Sequence, residues 1–335
     1  MLALEVDAPW GVDQLKVVER PDPTPGPGEV LVRMRAASLN YRDLMMVSGF
    51  YPGVRGPITP LSDGCGVIEA VGEGVTRVAP GDRVASLFFQ SWIGGRVTAQ
   101  RMSRPLGSPV PGVARELAVY SQDGVSKVPD FLTDEEVATL PCAGLTAWRG
   151  LFEDAALNPG DMVVLQGTGG VSIFGLQFAH AAGMRTLITS SSDEKLERAK
   201  ALGADHVVNY RTTPEWGGAV RTATHGAGAD FVMEVGGAGT MTESLRAIAP
   251  GGHIAVVGMV AAGGEGMNPT ALISTSVRMQ GLMVGSRDMF EAMCRALDQT
   301  RIRPVVDKVF PWTEARAAFE AMRDGAHFGK IVLKF

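Results

Sequence analysis

Glycines at the end of an apolar run are the residues of this chain whose type and spacing most directly predict chemistry. Residues 162–165 are apolar, Gly167, Gly169 and Gly170 follow, and a helical pattern begins at once. Gly167 can adopt the positive φ of a tight turn, while Gly169 and Gly170 lack a Cβ and let the backbone approach a phosphate group. The N–H groups and the dipole of a helix N-terminus favour such an anion. The motif therefore predicts a dinucleotide site, although Ser172 stands in place of a third glycine and an ordinary strand-to-helix turn is the alternative.

Apolar runs around this turn indicate the sheet that must position it. A second strand pattern at 185–189 and a charged helical stretch at 193–202 complete a βαβ unit. Two more apolar runs, at 230–235 and 253–257, end in small residues where a parallel sheet presents its ligand-binding edge. The pattern predicts an α/β fold with a doubly wound parallel sheet of the Rossmann type.

Composition narrows the functional class. The chain has 335 residues, of which 45% are hydrophobic and 20% charged, and its net charge is −5. This length predicts two domains, and the absence of a basic stretch argues against nucleic acid or an anionic membrane as a partner. The N-terminus has acids where a signal peptide needs bases, and no apolar run approaches a membrane span. Three scattered cysteines favour reduced thiols, so we expect a cytosolic protein that acts on a small molecule.

The first part of the chain has strand and turn patterns in place of βα repeats. Residues 30–36 alternate, 65–72 form a second strand pattern, and a Pro-Gly turn at 80–81 precedes a third. A last strand pattern at 330–334 is predicted to rejoin this β domain. The predicted boundaries are 1–125 for the first part of the β domain, 126–285 for the dinucleotide-binding domain, and 286–335 for the returning part.

Several motifs together resemble the medium-chain dehydrogenase/reductase superfamily, in particular its zinc-free quinone-oxidoreductase-like branch. The resemblance covers nearly the whole chain and implies a GroES-like catalytic domain that contains the first and last segments. The motifs that carry it are Ser38-Leu-Asn-Tyr-Arg-Asp-Leu, Ser48-Gly-Phe-Tyr-Pro, Asp63-Gly-Cys-Gly-Val-Ile-Glu, Val71-Gly-Glu-Gly-Val, Pro80-Gly-Asp-Arg-Val, Gly144-Leu-Thr-Ala, Gly167-Thr-Gly-Gly-Val and Ala201-Leu-Gly-Ala-Asp.

The positions that would bind metal in zinc-dependent relatives are altered here. The resemblance places the catalytic zinc ligands at Asn40, Ser62 and Cys142, and only the last of these types is a common zinc ligand. The family's structural zinc requires four cysteines, and residues 85–113 contain none. We therefore expect no zinc, with Cys142 as a small buried side chain.

The end of the second nucleotide-binding strand bears on cofactor choice. NAD-specific relatives have an Asp there that accepts hydrogen bonds from the ribose, whereas this chain has Ser190. With Ser191 and Lys195 nearby as donors for a 2′-phosphate, NADPH is favoured over NADH. Alternatively, Ser191 or Ser192 simply caps the next helix.

The resemblance also implies roles for individual residues. Asn40 and Tyr51 are predicted to donate hydrogen bonds to the substrate oxygen, and Thr146 to lie beside the nicotinamide. Structural alternatives are a turn contact for Asn40, a rim position for Tyr51 and a helix cap for Thr146. The residues predicted to support the site as a buried ion network are Arg42, Asp43 and Asp63. The predicted cofactor-binding residues are Thr146, Gly167, Thr168, Gly169, Gly170, Val171, Ser190, Ser191, Lys195, Gly236, Val257, Gly258, Val284 and Gly285.

The leading functional hypothesis is an NADPH-dependent reductase that transfers hydride to a quinone or to an α,β-unsaturated carbonyl compound. Two alternatives are a zinc-free alcohol dehydrogenase or aldehyde reductase, and a nucleotide-binding redox sensor without catalysis. The resemblance also implies a homodimer that pairs through the edge strand at 278–284, because an unpaired apolar edge would promote aggregation.

Overall fold

The chain forms two compact units in a computed structural model that describes residues 1–261 and 270–335. The first unit comprises Met1–Leu145 and Val284–Phe335, and the second comprises Thr146–Met283. The two-domain organisation with a returning C-terminal part matches the sequence pattern. The first boundary, however, lies later than the predicted residue 126, because the strand at Val125–Lys127 belongs to the sheet of the first unit.

The fifteen strands of the described residues are numbered in chain order. They are β1 (Leu2–Glu5), β2 (Lys16–Glu19), β3 (Glu29–Ser38), β4 (Asp63–Val71), β5 (Arg83–Ser86), β6 (Leu117–Ser121), β7 (Val125–Lys127), β8 (Met162–Leu165), β9 (Arg185–Ser190), β10 (His206–Asn209), β11 (Ala229–Glu234), β12 (Ile248–Val256), β13 (Arg278–Gly281), β14 (Val306–Pro311) and β15 (Lys330–Lys334).

The α-helices of the described residues are numbered in the same way. They are α1 (Tyr41–Val47), α2 (Asp134–Val137), α3 (Leu145–Trp148), α4 (Gly170–Ala181), α5 (Asp193–Ala201), α6 (Trp216–Ala223), α7 (Met241–Ala247), α8 (Thr270–Thr275), α9 (Arg287–Thr300) and α10 (Ala315–Arg323). Segments of π-helix, Leu140–Gly144 and Arg149–Asp154, flank α3. The described helices include none that is long and apolar enough to cross a membrane.

The first unit is built on a sheet with the strand order β14-β15-β3-β4-β5-β7, in which β6 also pairs with β3. Alternating side chains of β3 and β15, including Val30, Val32, Ile331 and Leu333, are buried in its core. The antiparallel register of β15 and β3 pairs Val332 with Ser38. This register brings the first residue of β15, Lys330, to the segment that immediately follows β3.

The second unit has a six-stranded parallel sheet with the order β10-β9-β8-β11-β12-β13. All four residues of β8 are buried, as expected for a central strand that is covered on both faces. The order reverses between β8 and β11, which makes their carboxyl ends the place where doubly wound sheets bind ligands. The α/β fold class is confirmed, and β13 lies at the edge of the sheet as predicted, although it is shorter than the predicted strand pattern.

Candidate active site

Asn40 lies where the sheet of the first unit passes into a helix. β3 ends at Ser38, α1 begins at Tyr41, and Asn40 is the N-cap residue. The side chain of Asp43 accepts a hydrogen bond from the Asn40 N–H at 2.8 Å, which satisfies a backbone donor at this helix start. The Asn40 side chain takes part in the same capping box by accepting from the Asp43 N–H, so the turn contact considered for Asn40 is present. The side-chain amide also contacts residues outside this helix.

Lys330 is the principal contact of that amide group, and sequence reasoning did not identify it. The lysine is 4% exposed, and its Nζ donates to the Asn40 Oδ1 at 2.6 Å and to the Leu39 carbonyl at 2.5 Å. A buried lysine is uncommon unless it is paired. The available signal was one lysine at the start of the apolar β15 pattern, directly after Gly329.

A chain of hydrogen bonds runs from Asn40 to Asp63. The Asn40 Nδ2 lies 3.5 Å from the Ser62 Oγ, and the Ser62 hydroxyl donates to the Asp63 Oδ1 at 2.6 Å. The Cys142 N–H donates to the other carboxylate oxygen of Asp63 at 2.9 Å. All three positions that the resemblance assigns to zinc ligands are therefore connected to one buried carboxylate.

Burial shifts the protonation equilibria of this cluster. Desolvation raises the pKa of Asp43 to about 7, and the charge of Arg42 opposes the shift. Desolvation also raises the pKa of Asp63, opposed first by the Lys330 charge. It lowers the pKa of Lys330, and the Asp63 charge opposes that shift. Each ionisable group thus depends on its neighbours for its charged form.

The donor set does not fit a catalytic zinc ion. The Asn40 Oδ1 is occupied by an ammonium group, and the Ser62 Oγ is a neutral hydroxyl that donates to Asp63. Of the three positions, only Cys142 has a side chain of a type that commonly binds zinc, and burial and the Asp63 charge raise the pKa of its thiol. Within residues 1–261 and 270–335, no cluster of three His, Cys, Asp or Glu side chains could hold a metal. Cys142 itself is half-buried, where the sequence predicts a small buried side chain.

Arg42 connects the cluster to Tyr51. Its guanidinium group lies over the Tyr51 ring at 5.1 Å and over the Phe88 ring at 4.8 Å. It also donates to the carbonyl oxygen of Leu106 at 2.9 Å, while its distance to the Asp43 carboxylate is 3.9 Å. Arg42 therefore orders the loop and the tyrosine and is also the cation paired with Asp43, whereas Lys330 is the cation whose charge most favours the ionised form of Asp63.

The glycine turn of the second unit has the geometry of a phosphate cradle. Gly167 has a φ of 69°, and a Cβ built on Gly167 or Gly169 would meet no atom within 4 Å. Gly169 is the N-cap of the twelve-residue α4, and no side chain caps this helix. Open space in front of uncapped N–H groups fits a bound pyrophosphate. Thr168 is buried beside these glycines, and Val171 is the second residue of the helix.

Ser172 stands in place of the third glycine of the dinucleotide-binding motif and makes a hydrogen bond that a glycine could not make. The Ser172 hydroxyl donates to the Gln166 carbonyl at 2.6 Å, which ties α4 to the end of β8. The close packing of helix on strand occurs one turn later at Gly175, where a Cβ would approach Leu165 Cδ2 to 2.8 Å.

A buried cluster joins the carboxyl ends of β8 and β11, and sequence reasoning missed it as well. Glu234 accepts from the backbone N–H groups of Gly236 and Gly237 at 2.9 and 2.8 Å, and from the side chain of Gln166 at 2.8 Å. The hydroxyls of Thr240 and Ser244 also donate to its carboxylate. The signal in the sequence was a polar residue at the end of each apolar run.

The remaining predicted cofactor residues of this unit follow the carboxyl ends of its strands. Ser190 ends β9, is buried, and accepts from the Ser192 N–H at 3.3 Å. Ser192 caps α5 by accepting from the Lys195 N–H at 3.4 Å, so the capping alternative holds for Ser192, with Ser191 between the two. Val257 and Gly258 both donate to the Glu234 carbonyl.

The structure differs from the structural alternative for Thr146 and from the predicted domain and strand limits around Val284 and Gly285, while the roles of all three as cofactor residues stay predictions. Thr146 is buried inside the continuous helical stretch at 140–154, so it does not cap a helix. Val284 and Gly285 belong to the first unit, whereas they were predicted to end the dinucleotide-binding domain. Their strand pattern ends earlier because β13 stops at Gly281 and Val284 has a φ of 51°. A Cβ on Gly285 would contact Leu145, so this glycine also serves packing.

Sequence models of two protein families match this chain. The alcohol dehydrogenase GroES-like domain matches residues 26–130, and the zinc-binding dehydrogenase family matches residues 170–299. The chain is 44% identical over 332 residues to a zinc-type alcohol dehydrogenase-like protein of Schizosaccharomyces pombe, which covers 97% of this chain and 96% of the relative. It is 31% identical over 334 residues to an acryloyl-coenzyme A reductase of Metallosphaera sedula, and the match covers 95% of this chain and 96% of that relative.

Solved structures agree with these matches. An NAD-dependent alcohol dehydrogenase has a TM-score of 0.92 at 33% identity, and a mycobacterial protein in complex with NADPH has a TM-score of 0.85 at 29% identity; both comparisons cover 100% of each chain. A doubly wound unit inserted into a GroES-like unit defines a nicotinamide-dependent oxidoreductase. The chain belongs to the medium-chain dehydrogenase/reductase superfamily and is an NAD(P)-dependent oxidoreductase. This confirms the predicted superfamily and enzyme class and sets aside the non-catalytic alternative.

Proposed function

We propose that the protein is a zinc-independent, NADPH-dependent reductase that transfers hydride to a quinone or to an α,β-unsaturated carbonyl compound. The observation that carries this proposal is the hydrogen-bond chain from Lys330 through Asn40 and Ser62 to Asp63. At two of the positions that the resemblance assigns to zinc ligands, Asn40 and Ser62, the chain has groups that donate hydrogen bonds. A substrate oxygen is therefore stabilised by neutral donors and not by a metal.

The residues of the first unit supply the donors for the reaction. NADPH, when bound, would supply the hydride. As the acceptor is reduced, negative charge develops on its oxygen, and the amide of Asn40 and the hydroxyl of Tyr51 stabilise that charge. Such donors act most strongly in the transition state, because the charge is greatest there. The half-buried Tyr51 hydroxyl has no partner in the described part of the chain and is available for this role.

The second unit supports a preference for NADPH. β9 ends in Ser190, so no carboxylate at this position would repel a 2′-phosphate. Lys195, in the first turn of α5, adds a cationic donor in this region. Asp193 and Glu194 lie in the same turn, and their negative charges oppose the attraction of Lys195 for a 2′-phosphate.

Interconversion of simple alcohols with aldehydes or ketones is the second candidate. The identity to alcohol dehydrogenases favours it, whereas the identity to an acryloyl-coenzyme A reductase, whose name indicates a conjugated substrate, favours the first. Alcohol oxidation requires a base or a metal to accept the hydroxyl proton. Asn40 and Tyr51 carry neutral donor groups, which supports reduction of an activated acceptor.

The test is an aerobic panel that follows NADPH oxidation with quinones, enones and aldehydes, before and after dialysis against a strong chelator. We expect turnover with quinones or enones, little with simple aldehydes, and no loss of activity or melting temperature after dialysis. One tightly bound zinc per chain, with activity lost on its removal, would contradict the proposal.

We also infer that the protein is a homodimer that pairs through the edge of the second sheet. β13 pairs with β12 on one side, and no strand of the described residues pairs with its other side. An open edge strand is a template for another strand. Light scattering that gives a monomer at micromolar concentration would refute this inference without affecting the assignment as an enzyme.

A further inference from the structure

The side-chain amide of Asn40 can present either its oxygen or its nitrogen to a substrate. The two orientations differ by a rotation that leaves the shape of the side chain almost unchanged, so the surrounding hydrogen bonds must decide between them. Only the orientation that presents the NH₂ group can stabilise negative charge. The proposed reaction therefore requires a feature that fixes the amide in one orientation.

Lys330 meets this requirement. An ammonium group has three N–H donors and no acceptor, so the atom in contact with it must be an acceptor. Its Nζ lies 2.6 Å from the Asn40 amide and also donates to the Leu39 carbonyl at 2.5 Å. The Leu39 contact holds the ammonium in place, and the Asn40 oxygen must turn toward it.

The opposite end of the amide agrees with this orientation. The Ser62 hydroxyl donates its single hydrogen to Asp63 at 2.6 Å, so its oxygen can only accept from Asn40. An acceptor thus lies on the nitrogen side of the amide and a donor on the oxygen side. The buried carboxylate of Asp63 sets this polarity from one end and Lys330 from the other.

We propose that Lys330 is a positioning residue for hydride transfer, which binds the Asn40 Oδ1 and thereby presents the Asn40 NH₂ group as the donor to the substrate oxygen. This inference rests on the proposed function, in which Asn40 stabilises the developing charge. It assigns a role in turnover to a residue that does not itself contact the substrate.

A double-mutant cycle with Asn40→Ala, Lys330→Met and the combined variant tests this role. We expect Asn40→Ala to lower kcat by ~10²–10³, the usual effect of removing a transition-state donor. Lys330→Met should lower kcat at least tenfold with an unchanged Kd for NADPH. The combined variant should be no slower than Asn40→Ala alone, because Lys330 acts through the amide. Lys334→Met is the matched control, since Lys334 is an exposed lysine of the same strand and should leave kcat unchanged.

The outcomes separate the two proposals. Full turnover in Asn40→Ala would overturn the donor role of Asn40 and the inference with it. If Asn40→Ala is slow but Lys330→Met is fast, or if the two losses multiply, the positioning role is wrong while the proposed function stands.

A second pair of variants keeps the test decisive if Lys330→Met fails to fold. Asn40→Asp retains an oxygen for Lys330, whereas Asn40→Leu has a similar volume and leaves the ammonium without this acceptor. We expect both to lose turnover but Asn40→Leu to melt at a clearly lower temperature. Equal melting temperatures would show that the contact does not hold the lysine and would overturn the inference.

Discussion

Each of the two units buries a carboxylate cluster, and the clusters are stabilised in different ways. In the first unit, Asp43 and Asp63 share their surroundings with Lys330 and Arg42, and burial raises the pKa of both acids. In the second unit, Glu234 is fully buried and accepts from two backbone N–H groups and three neutral side chains. No cation of the described residues forms an ion pair with it.

The difference has a functional meaning. A carboxylate that is satisfied by neutral donors orders the backbone of a turn, here the one that follows β11 at the ligand-binding edge. A carboxylate that faces a lysine through a chain of amide and hydroxyl groups imposes a direction on those groups. We propose that the cluster of the second unit holds the shape of a turn and that the cluster of the first presents donors to a substrate. Changes in the second should affect stability and cofactor binding, and changes to the donor groups of the first should affect turnover.

Removal of the Glu234 carboxylate should have the largest effect on stability. Glu234→Ala leaves several buried donors without a partner, each at a cost of about 1–3 kcal/mol, so we expect a loss of roughly 5 kcal/mol in the free energy of unfolding. Chemical denaturation measures this loss. The control is Glu197→Ala, whose side chain is 70% exposed and pairs with Lys200 on the surface. If Glu234→Ala lowers the free energy of unfolding by less than about 1 kcal/mol, the Glu234 cluster does not stabilise the second unit in the way that distinguishes it from the first cluster.

Asp43→Asn should reveal the pH dependence of the first cluster. The pKa of Asp43 is raised from 3.8 to about 7, so between these values the folded protein retains a proton that the unfolded chain has released. Stability from this group is therefore present below pH 4 and falls as the pH rises to 7. The amide keeps an acceptor for the Asn40 N–H but does not titrate. Relative to wild type, the variant should gain stability over this range, by at most about 4 kcal/mol.

Denaturation curves at pH 5 and pH 8 measure this gain. Arg42, Asp63 and Lys330 face the same cluster and remain in both proteins, so their contributions largely cancel in the difference. If the difference between variant and wild type is the same at both pH values, the pKa of Asp43 is not raised by folding.

Tyr51→Phe should separate turnover from binding. Loss of the hydroxyl should lower kcat by roughly 10², or about 2.7 kcal/mol, if it stabilises the developing charge. The Kd for NADPH and the melting temperature should remain near wild-type values, because the ring still packs under Arg42. Steady-state kinetics with the best acceptor and 4-deuterated NADPH measure both the role and the hydride step. Near-full turnover in Tyr51→Phe would show that the Tyr51 hydroxyl does not stabilise the developing charge and that the residue only lines the pocket.

Ser190→Asp should have the smallest of these effects and should act through the second unit. A carboxylate at the end of β9 would repel a 2′-phosphate and accept from ribose hydroxyls, so the preference should shift from NADPH toward NADH by at least tenfold, or about 1.4 kcal/mol. Binding titrations with both cofactors measure this shift, and kcat at saturation should change little. A wild-type protein that already prefers NADH tenfold would refute this interpretation of Ser190.

The sequence alone was sufficient for the features that depend on local pattern. The apolar run of β8 and the glycines after it identified the dinucleotide turn, and Gly167 and Gly169 have the open space that a bound phosphate requires. Motifs around Asn40 and Asp63 identified a buried polar region near the zinc positions of the family. Local steric and burial rules decide such features, so residues close in the chain carry the whole signal.

Only the tertiary structure decided which polar groups meet. Lys330 and Asn40 are 290 positions apart, and the register of β15 against β3 brings them together. Gln166 and Glu234 are 68 positions apart and meet because β8 and β11 are neighbours at the point where the strand order reverses. A shift of one residue in a strand moves every side chain to the opposite face of a sheet. The partners of a buried charge are therefore set by strand pairing, which no local pattern of the sequence encodes.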